Sequence, residues 1–130
     1  MTRRITITAG KAQFRAELND TATALAIMEA LPIEARANRW GGEIYFSIPV
    51  EAGLESGARE VVEAGALGYW PPGSAFCIFF GRTPASQGEE IRAASPVNIV
   101  GRIEGKLDKL WSVPDGAEVF IEEFSEIPIP

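Results

Sequence analysis

Apolar and polar residues alternate along much of the chain, and this period of two predicts β-strands. The alternation is clear in "ITITA", "QFRAEL", "EIYFSIP" and "AEVFIEEF", and Val97, Ile99, Gly101 and Ile103 continue it later in the chain. Further short strands are predicted near 59–63, 66–70 and 75–80. Gly10-Lys11 and Gly41-Gly42 separate neighbouring strands, so each pair predicts a tight hairpin turn.

The period changes to that of a helix at two places. Residues 21–31, "TATALAIMEAL", predict a helix with Ala24, Leu25, Met28 and Leu31 on its apolar face, ended by Pro32. Leu107, Leu110 and Trp111 fit one face of a second, short helix. Residues 81–95 show no period and predict a long loop. About eight short strands with two helices favour a mainly β fold, a closed antiparallel barrel.

Length and composition favour one compact domain, residues 1–130, in which an apolar share of 46% can fill a core. The net charge of −6, with no basic cluster larger than Arg3-Arg4, argues against a nucleic-acid partner. No segment is long and apolar enough for a membrane helix, and the N-terminus lacks a signal-peptide pattern. We therefore expect a cytoplasmic protein without a membrane partner.

The residue types exclude several chemistries. The chain has no histidine, so the commonest metal ligand and the commonest general base are both missing. Its single cysteine, Cys77, forms no internal disulfide and no cysteine-based zinc site. A buried thiol in an apolar strand is inert. We expect no cofactor and no metal, and whether the protein is an enzyme stays open.

The segment "GYWPPGSAFCIFFGRTP" concentrates aromatic residues and prolines around a Pro-Pro-Gly turn. Phe76, Ile78 and Phe80 share one strand face and are expected to fill the core. The other face carries Ala75, Cys77 and Phe79 and must be covered by something. A ligand or peptide groove, the chain's own loops and a second copy of the chain are the three alternatives.

Further aromatic and charged residues are candidates for the same groove. Trp40, Tyr45 and Trp70 have the amphipathic rings that often line binding sites, although they also suit ordinary packing. Arg36 and Arg39 are either surface charges on a strand or a clamp for a carboxylate or carbonyl group.

Several segments resemble a known family. "GALGYWPPGSAFCIF" is similar to the cyclophilin stretch from Gly-x-Leu-Ser-Met-Ala to Gly-Ser-Gln-Phe-Phe-Ile, and "VNIVGRIEGKLDKLW" is similar to the cyclophilin Val-Phe-Gly-x-Val with its short helix. "EARANRWGGEIYFSIP", "YWPPGSAFCIFFGRTPAS" and "RAASPVNIVGRI" look like the signature blocks of small, mostly uncharacterised cyclophilin-like proteins of bacteria and archaea. This resemblance covers about residues 19–104. It implies an eight-stranded antiparallel barrel closed by two helices, with a groove on its outer wall.

The cyclophilin activity does not follow from this resemblance. Cyclophilins carry Phe-His-Arg on the third strand, where this chain has "EARANRW", and either Arg36 or Arg39 corresponds to the family arginine. Cys77 stands where cyclophilins have a pocket phenylalanine, and "SQGEEIRAASP" replaces their Trp-Leu-x-Gly-x-His loop. We therefore expect little prolyl isomerase activity.

The hypothesis from the sequence is a cyclophilin-like barrel that binds a small apolar molecule or an extended peptide in an outer groove. The residues expected to line that groove are Arg36, Trp40, Tyr45, Trp70, Cys77 and Phe79. The alternative is a peptidyl-prolyl isomerase with a rearranged site. A third possibility is a homo-oligomer, in which a copy of the chain covers the outward apolar face.

Overall fold

A computed structural model describes residues 3–124. This part of the chain contains β-strands, one α-helix and two short 3₁₀-helices, at Pro71–Gly73 and Asp108–Ser112. The remaining elements are β1 (Arg3–Ala9), β2 (Ala12–Leu18), α1 (Ala22–Ala30), β3 (Ile33–Arg36), β4 (Asn38–Arg39), β5 (Glu43–Ser47), β6 (Arg59–Val62), β7 (Ala66–Trp70), β8 (Ala75–Phe79), β9 (Ile91–Glu104) and β10 (Glu118–Glu123).

The strands form one antiparallel sheet that is not closed by hydrogen bonds, so the predicted closed eight-stranded barrel is not confirmed. The strand order is β3-β10-β1-β2-β9-β7-β8-β5-β4, and β6 pairs with β9 beside this path. The end strands β3 and β4 are consecutive in the chain and are separated only by Ala37. The backbone of Ala37 exchanges hydrogen bonds with Gly116 and Ala117, before β10. The ladder to β10 therefore ends here, and the next strand pairs with β5 instead.

The main core lies on the inner side of this sheet. Phe76, Ile78 and Phe80 all belong to it, which confirms the predicted inner face of β8. The rings of Phe76 and Phe46 stack with their centroids 5.4 Å apart. Tyr69 is also fully buried, and its hydroxyl donates a 2.6 Å hydrogen bond to the carbonyl oxygen of Val50.

The predicted long helix is present as α1, but its buried face differs from the prediction. The Thr21 side chain caps the helix by accepting a hydrogen bond from the backbone N–H of Ala24. Thr23, Ala24 and Ile27 are buried, whereas Leu25 is 37% exposed. The hydroxyl of Thr23 is bound to the Glu55 carboxylate and accepts a hydrogen bond from Asn98. The buried face therefore includes Thr23 and its polar contacts, which the apolar pattern alone did not predict.

The predicted second helix is a single 3₁₀ segment. Within Asp108–Ser112 only Leu110 is buried, and Trp111 is 52% exposed. The short apolar spacing of Leu107, Leu110 and Trp111 is compatible with either helix type over so few residues. Pro114 and Gly116 follow directly and leave no room for a longer helix.

The predicted 81–95 loop is shorter than expected, because β9 already begins at Ile91. The first half of β9 pairs with β6, and the second half of β9 pairs with β7 and β2. A bulge at Val100 interrupts the pairing with β7, since Leu67 faces Gly101 and Gly68 faces Ile99. The extra residue at the bulge shifts which side chains of β9 point inward. Val97 therefore packs outside the main core, while Val100 and Ile103 pack inside it.

Candidate ligand-binding site

The outward face of β8 is covered by the chain itself. Ala75, Cys77 and Phe79 are each at most 1% exposed. They form a second apolar cluster with residues of β6, β7 and the first half of β9, namely Val62, Ala66, Ala93 and Val97. Cys77 and Phe79 were predicted to line an outer groove, but both lie beneath this layer. The cover is largely a strand, β9, in a region where the sequence predicted a loop.

A cavity of about 220 Å³ remains at the edge of this second cluster. It lies between the β4–β5 hairpin, the end of β7 and the first half of β9. Its lining consists of Trp40, Glu43, Tyr45, Trp70, Ala93, Ala94 and Val97. The structure thus brings together the three aromatic residues that the sequence singled out.

Other depressions on the surface are larger but have a different character. One of about 590 Å³ runs along β3 and β10 and is lined by Arg36, Glu34 and Glu118. Another, of about 660 Å³, lies beside Pro114 and Lys109. Neither depression is lined by a tryptophan, a tyrosine or a buried charged residue. We therefore assign the candidate site to the smaller cavity with the three aromatic residues, which we call the aromatic pocket.

The β4–β5 hairpin holds Trp40 at the rim of the aromatic pocket. The backbones of Trp40 and Glu43 exchange two hydrogen bonds, of 2.9 and 3.2 Å, around Gly41-Gly42. Gly41 has a φ of +62°, which favours glycine. A Cβ atom on Gly42 would lie 2.3 Å from the carbonyl carbon of Gly81, so only glycine allows the hairpin to pack against that segment.

Trp70 is fixed on the opposite wall. Its indole N–H donates a 2.6 Å hydrogen bond to the hydroxyl of Ser95 on β9. Pro71 and Pro72 follow at once and restrict the backbone. A Cβ atom on Gly73 would lie 3.0 Å from the Trp70 ring, so the ring rests against this glycine. Tyr45, on β5, pairs with Cys77 and is only partly buried.

Glu43 is the polar residue of the aromatic pocket, and it is only 6% exposed. Burial raises the pKa of its carboxyl group from 4.5 to about 7, and the neighbouring Cys77 thiol partly offsets this effect. The Cys77 thiol donates a long hydrogen bond of 3.8 Å to the carbonyl oxygen of Ala75. Burial, together with the nearby Glu43 carboxylate, raises the pKa of Cys77 well above its usual range, so the thiol is a poor nucleophile.

Neither candidate arginine lines the aromatic pocket. Arg36 lies on β3, where its guanidinium is exposed and contacts the carbonyl oxygen of Gly116 and the carboxylate of Glu118. This strand pairs with β10, far from β7 in the strand order, so Arg36 is separated from the aromatic residues.

The guanidinium of Arg39 has a structural role. It donates hydrogen bonds to the carbonyl oxygens of Gly41, Trp111 and Val113, at 2.8–3.3 Å. It also lies over the ring of Phe80, 5.3 Å from the centroid. These contacts tie the β4–β5 hairpin to the segment before β10 and leave the aromatic pocket with Glu43 as its polar group.

Sequence reasoning missed Glu43. The signal was present, because Glu43 and Tyr45 are two residues apart on one strand and must share a face. Since Ile44 and Phe46 point into the core, that shared face is the outer one, where Tyr45 was already a candidate. Among residues 3–124 there is no group of three or more His, Cys, Asp or Glu residues that could hold a metal ion.

In residues 3–124, an antiparallel sheet packs around a main core beside one α-helix, and this architecture is compatible with the cyclophilin-like fold class. A family model described as "Cyclophilin-like" matches residues 3–122, and the chain belongs to this family. It is similar to a hypothetical protein from Archaeoglobus fulgidus, whose solution structure has a TM-score of 0.79, 42% sequence identity and 95% coverage of each chain. A comparison with curated proteins gave no significant match. In the described part of the chain, no helix has the length and apolar character needed to cross a membrane.

Proposed function

We propose that this protein binds a small molecule in the aromatic pocket. The observation that carries the proposal is the convergence of Trp40, Tyr45 and Trp70, from separate strands and turns, on one cavity. Binding sites for small molecules are typically concave and mainly apolar, with a few polar groups that orient the ligand. The volume of about 220 Å³ favours a small molecule over an extended peptide.

Preorganisation supports the same proposal. Trp70 is held by its hydrogen bond to Ser95 and by the two prolines after it, so its ring loses little freedom when a ligand binds. Well-packed proteins leave few voids larger than a water molecule, and aromatic side chains usually fill such space. Three partly exposed rings around an open cavity are therefore better suited to contact a ligand than to stabilise the fold.

Binding of the neutral fluorescent probe prodan tests this function. We expect the native protein to bind prodan and Tyr45→Ala to raise the dissociation constant about tenfold, because the substitution removes one wall of the pocket. Tenfold corresponds to about 1.4 kcal/mol of binding free energy. Fluorescence titration measures the affinity, and denaturant unfolding monitors stability in parallel.

Leu25→Ala serves as the control for this experiment. Leu25 is an apolar residue on α1 that is 37% exposed and does not line the pocket, so its truncation should leave prodan affinity unchanged. Equal effects of the two substitutions, or no prodan binding by the native protein, would contradict the proposed function.

We expect little or no peptidyl-prolyl isomerase activity. Isomerisation in cyclophilins relies on an arginine beside an apolar proline pocket, and three backbone carbonyl groups already occupy four of the five N–H donors of Arg39. Arg36 contacts Glu118 at another surface. A coupled assay on a proline peptide should give kcat/KM below about 10⁴ M⁻¹s⁻¹, the low end for ordinary enzymes. A higher value would favour the isomerase alternative.

A further inference from the structure

We propose that the ligand of the aromatic pocket is a small organic cation whose alkylated ammonium group binds between the Glu43 carboxylate and the rings of Trp40, Tyr45 and Trp70. This inference rests on the proposed function and names the chemical class of the ligand. Three observations lead to it: a buried carboxyl group without a countercharge, a wall of aromatic rings, and a β9 side without hydrogen-bonding side chains.

The first observation concerns charge. Glu43 is 6% exposed, and in the described part of the chain no arginine or lysine forms an ion pair with it. Buried carboxylates are almost always paired with a cation, because an isolated charge is costly to remove from water. Arg39 is directed to backbone carbonyl groups instead. A cationic ligand would supply the missing countercharge.

The second observation concerns the rings. Tryptophan and tyrosine attract cations through the negative faces of their π-systems, and the attraction grows when the site is shielded from water. Two tryptophans and one tyrosine line this single cavity. The same combination of rings and one carboxylate suits an ammonium group better than it suits a neutral hydrocarbon, which would leave the carboxylate without any partner.

The third observation concerns hydrogen bonds. The indole N–H of Trp70 is already bound to Ser95, and the β9 side of the cavity contributes only the apolar side chains of Ala93, Ala94 and Val97. A primary ammonium carries three N–H donors and would find side-chain acceptors only on the β5 side of the cavity, at Glu43 and Tyr45. An alkylated ammonium needs contact area and one opposite charge, and the cavity offers both.

The charge state of Glu43 distinguishes this ligand from a neutral one. The groups that face the carboxyl are the Cys77 thiol on β8, the Tyr45 phenol on β5 and apolar side chains on β9. Because the pKa of Glu43 is about 7, a cation should bind more tightly as the pH rises through that value. A neutral hydrogen-bond acceptor would instead prefer the protonated carboxyl and bind more tightly at lower pH.

Choline and its neutral isostere 3,3-dimethyl-1-butanol provide a matched pair of probes. We expect choline to bind at least tenfold more tightly than the isostere at pH 8, measured by NMR titration, and to lose most of this preference at pH 5.5. Glu43→Gln should reduce the affinity for choline at least fivefold at pH 8 and abolish its pH dependence, while the affinity for the isostere changes less than twofold; the preference for choline that remains is the part that the rings contribute.

Tyr45→Leu is a second variant that does not depend on the carboxyl. It keeps an apolar wall but removes a ring, so it should weaken choline about fivefold and the isostere little. Equal or tighter binding of the isostere would overturn the cation inference and leave the proposed function standing. The same holds if prodan binds and neither probe does. If prodan, choline and the isostere all fail to bind, both proposals fall.

Discussion

Phe76→Ala is expected to lower the free energy of unfolding by about 3–5 kcal/mol. Phe76 is 0% exposed, belongs to the main core and stacks on Phe46. Phe76 pairs with Phe46 and Tyr69 on the two neighbouring strands, so truncation leaves a cavity that the surrounding side chains fill only in part. Urea or guanidinium unfolding followed by circular dichroism measures the change.

Leu25→Ala is the control for this truncation, since Leu25 is an apolar residue that is 37% exposed on α1. We expect a change of less than about 1 kcal/mol there, as for surface positions in general. A loss below about 1 kcal/mol for Phe76→Ala would mean that the ring is not a core element and that the two faces of β8 are exchanged.

Much of the fold could be predicted from the sequence because local patterns determine it. The alternation of Ile44, Phe46 and Ile48 locates the inner face of β5, and Gly41-Gly42 locates the hairpin before it. Such patterns are local, since each depends on residues a few positions apart. The same reasoning gave the extent of α1 to within one residue at each end.

The errors arose where distant contacts override local preference. Residues 91–95, "IRAAS", have little strand character, yet pairing with β6 makes them part of β9. The bulge at Val100 shifts the alternation within the same strand and depends on its pairing with β7. Whether the sheet closes depends on the hydrogen bonds of Ala37, which a sequence pattern does not show.

The site was partly predictable for a related reason. Trp40, Tyr45 and Trp70 were selected for their chemistry, and the structure brings them to one cavity. The polar group was assigned to Arg36 or Arg39 because both lie beside Trp40 in the sequence and either corresponds to the cyclophilin arginine. Glu43 is the opposite case, a buried carboxyl, and its burial comes from β9 folding over the outer side of β8.

Glu43→Gln is expected to stabilise the protein relative to wild type by an amount that grows as the pH rises. The pKa of Glu43 is about 7 in the folded protein and 4.5 without burial, so the folded state holds this proton more tightly than the unfolded state. The resulting stabilisation is fully present below pH 4.5 and is lost as the pH rises through about 7. Each unit of pKa difference corresponds to about 1.4 kcal/mol, so the wild-type protein loses roughly 3 kcal/mol over this range at Glu43.

Glutamine has nearly the same shape and does not titrate, so the variant lacks this loss. Relative to wild type, Glu43→Gln should therefore gain about 3 kcal/mol in unfolding free energy between pH 4.5 and pH 8. Urea unfolding of both proteins at several pH values measures the difference, and subtraction removes the contributions of all other titrating groups. Glu29→Gln, at an exposed position on α1, is the matched control and should show no such trend. A constant difference between wild type and Glu43→Gln across this range would mean that the carboxyl is solvated when the protein is folded. Glu43 would then not be a buried carboxylate without a countercharge, and the cation-binding inference depends on that feature.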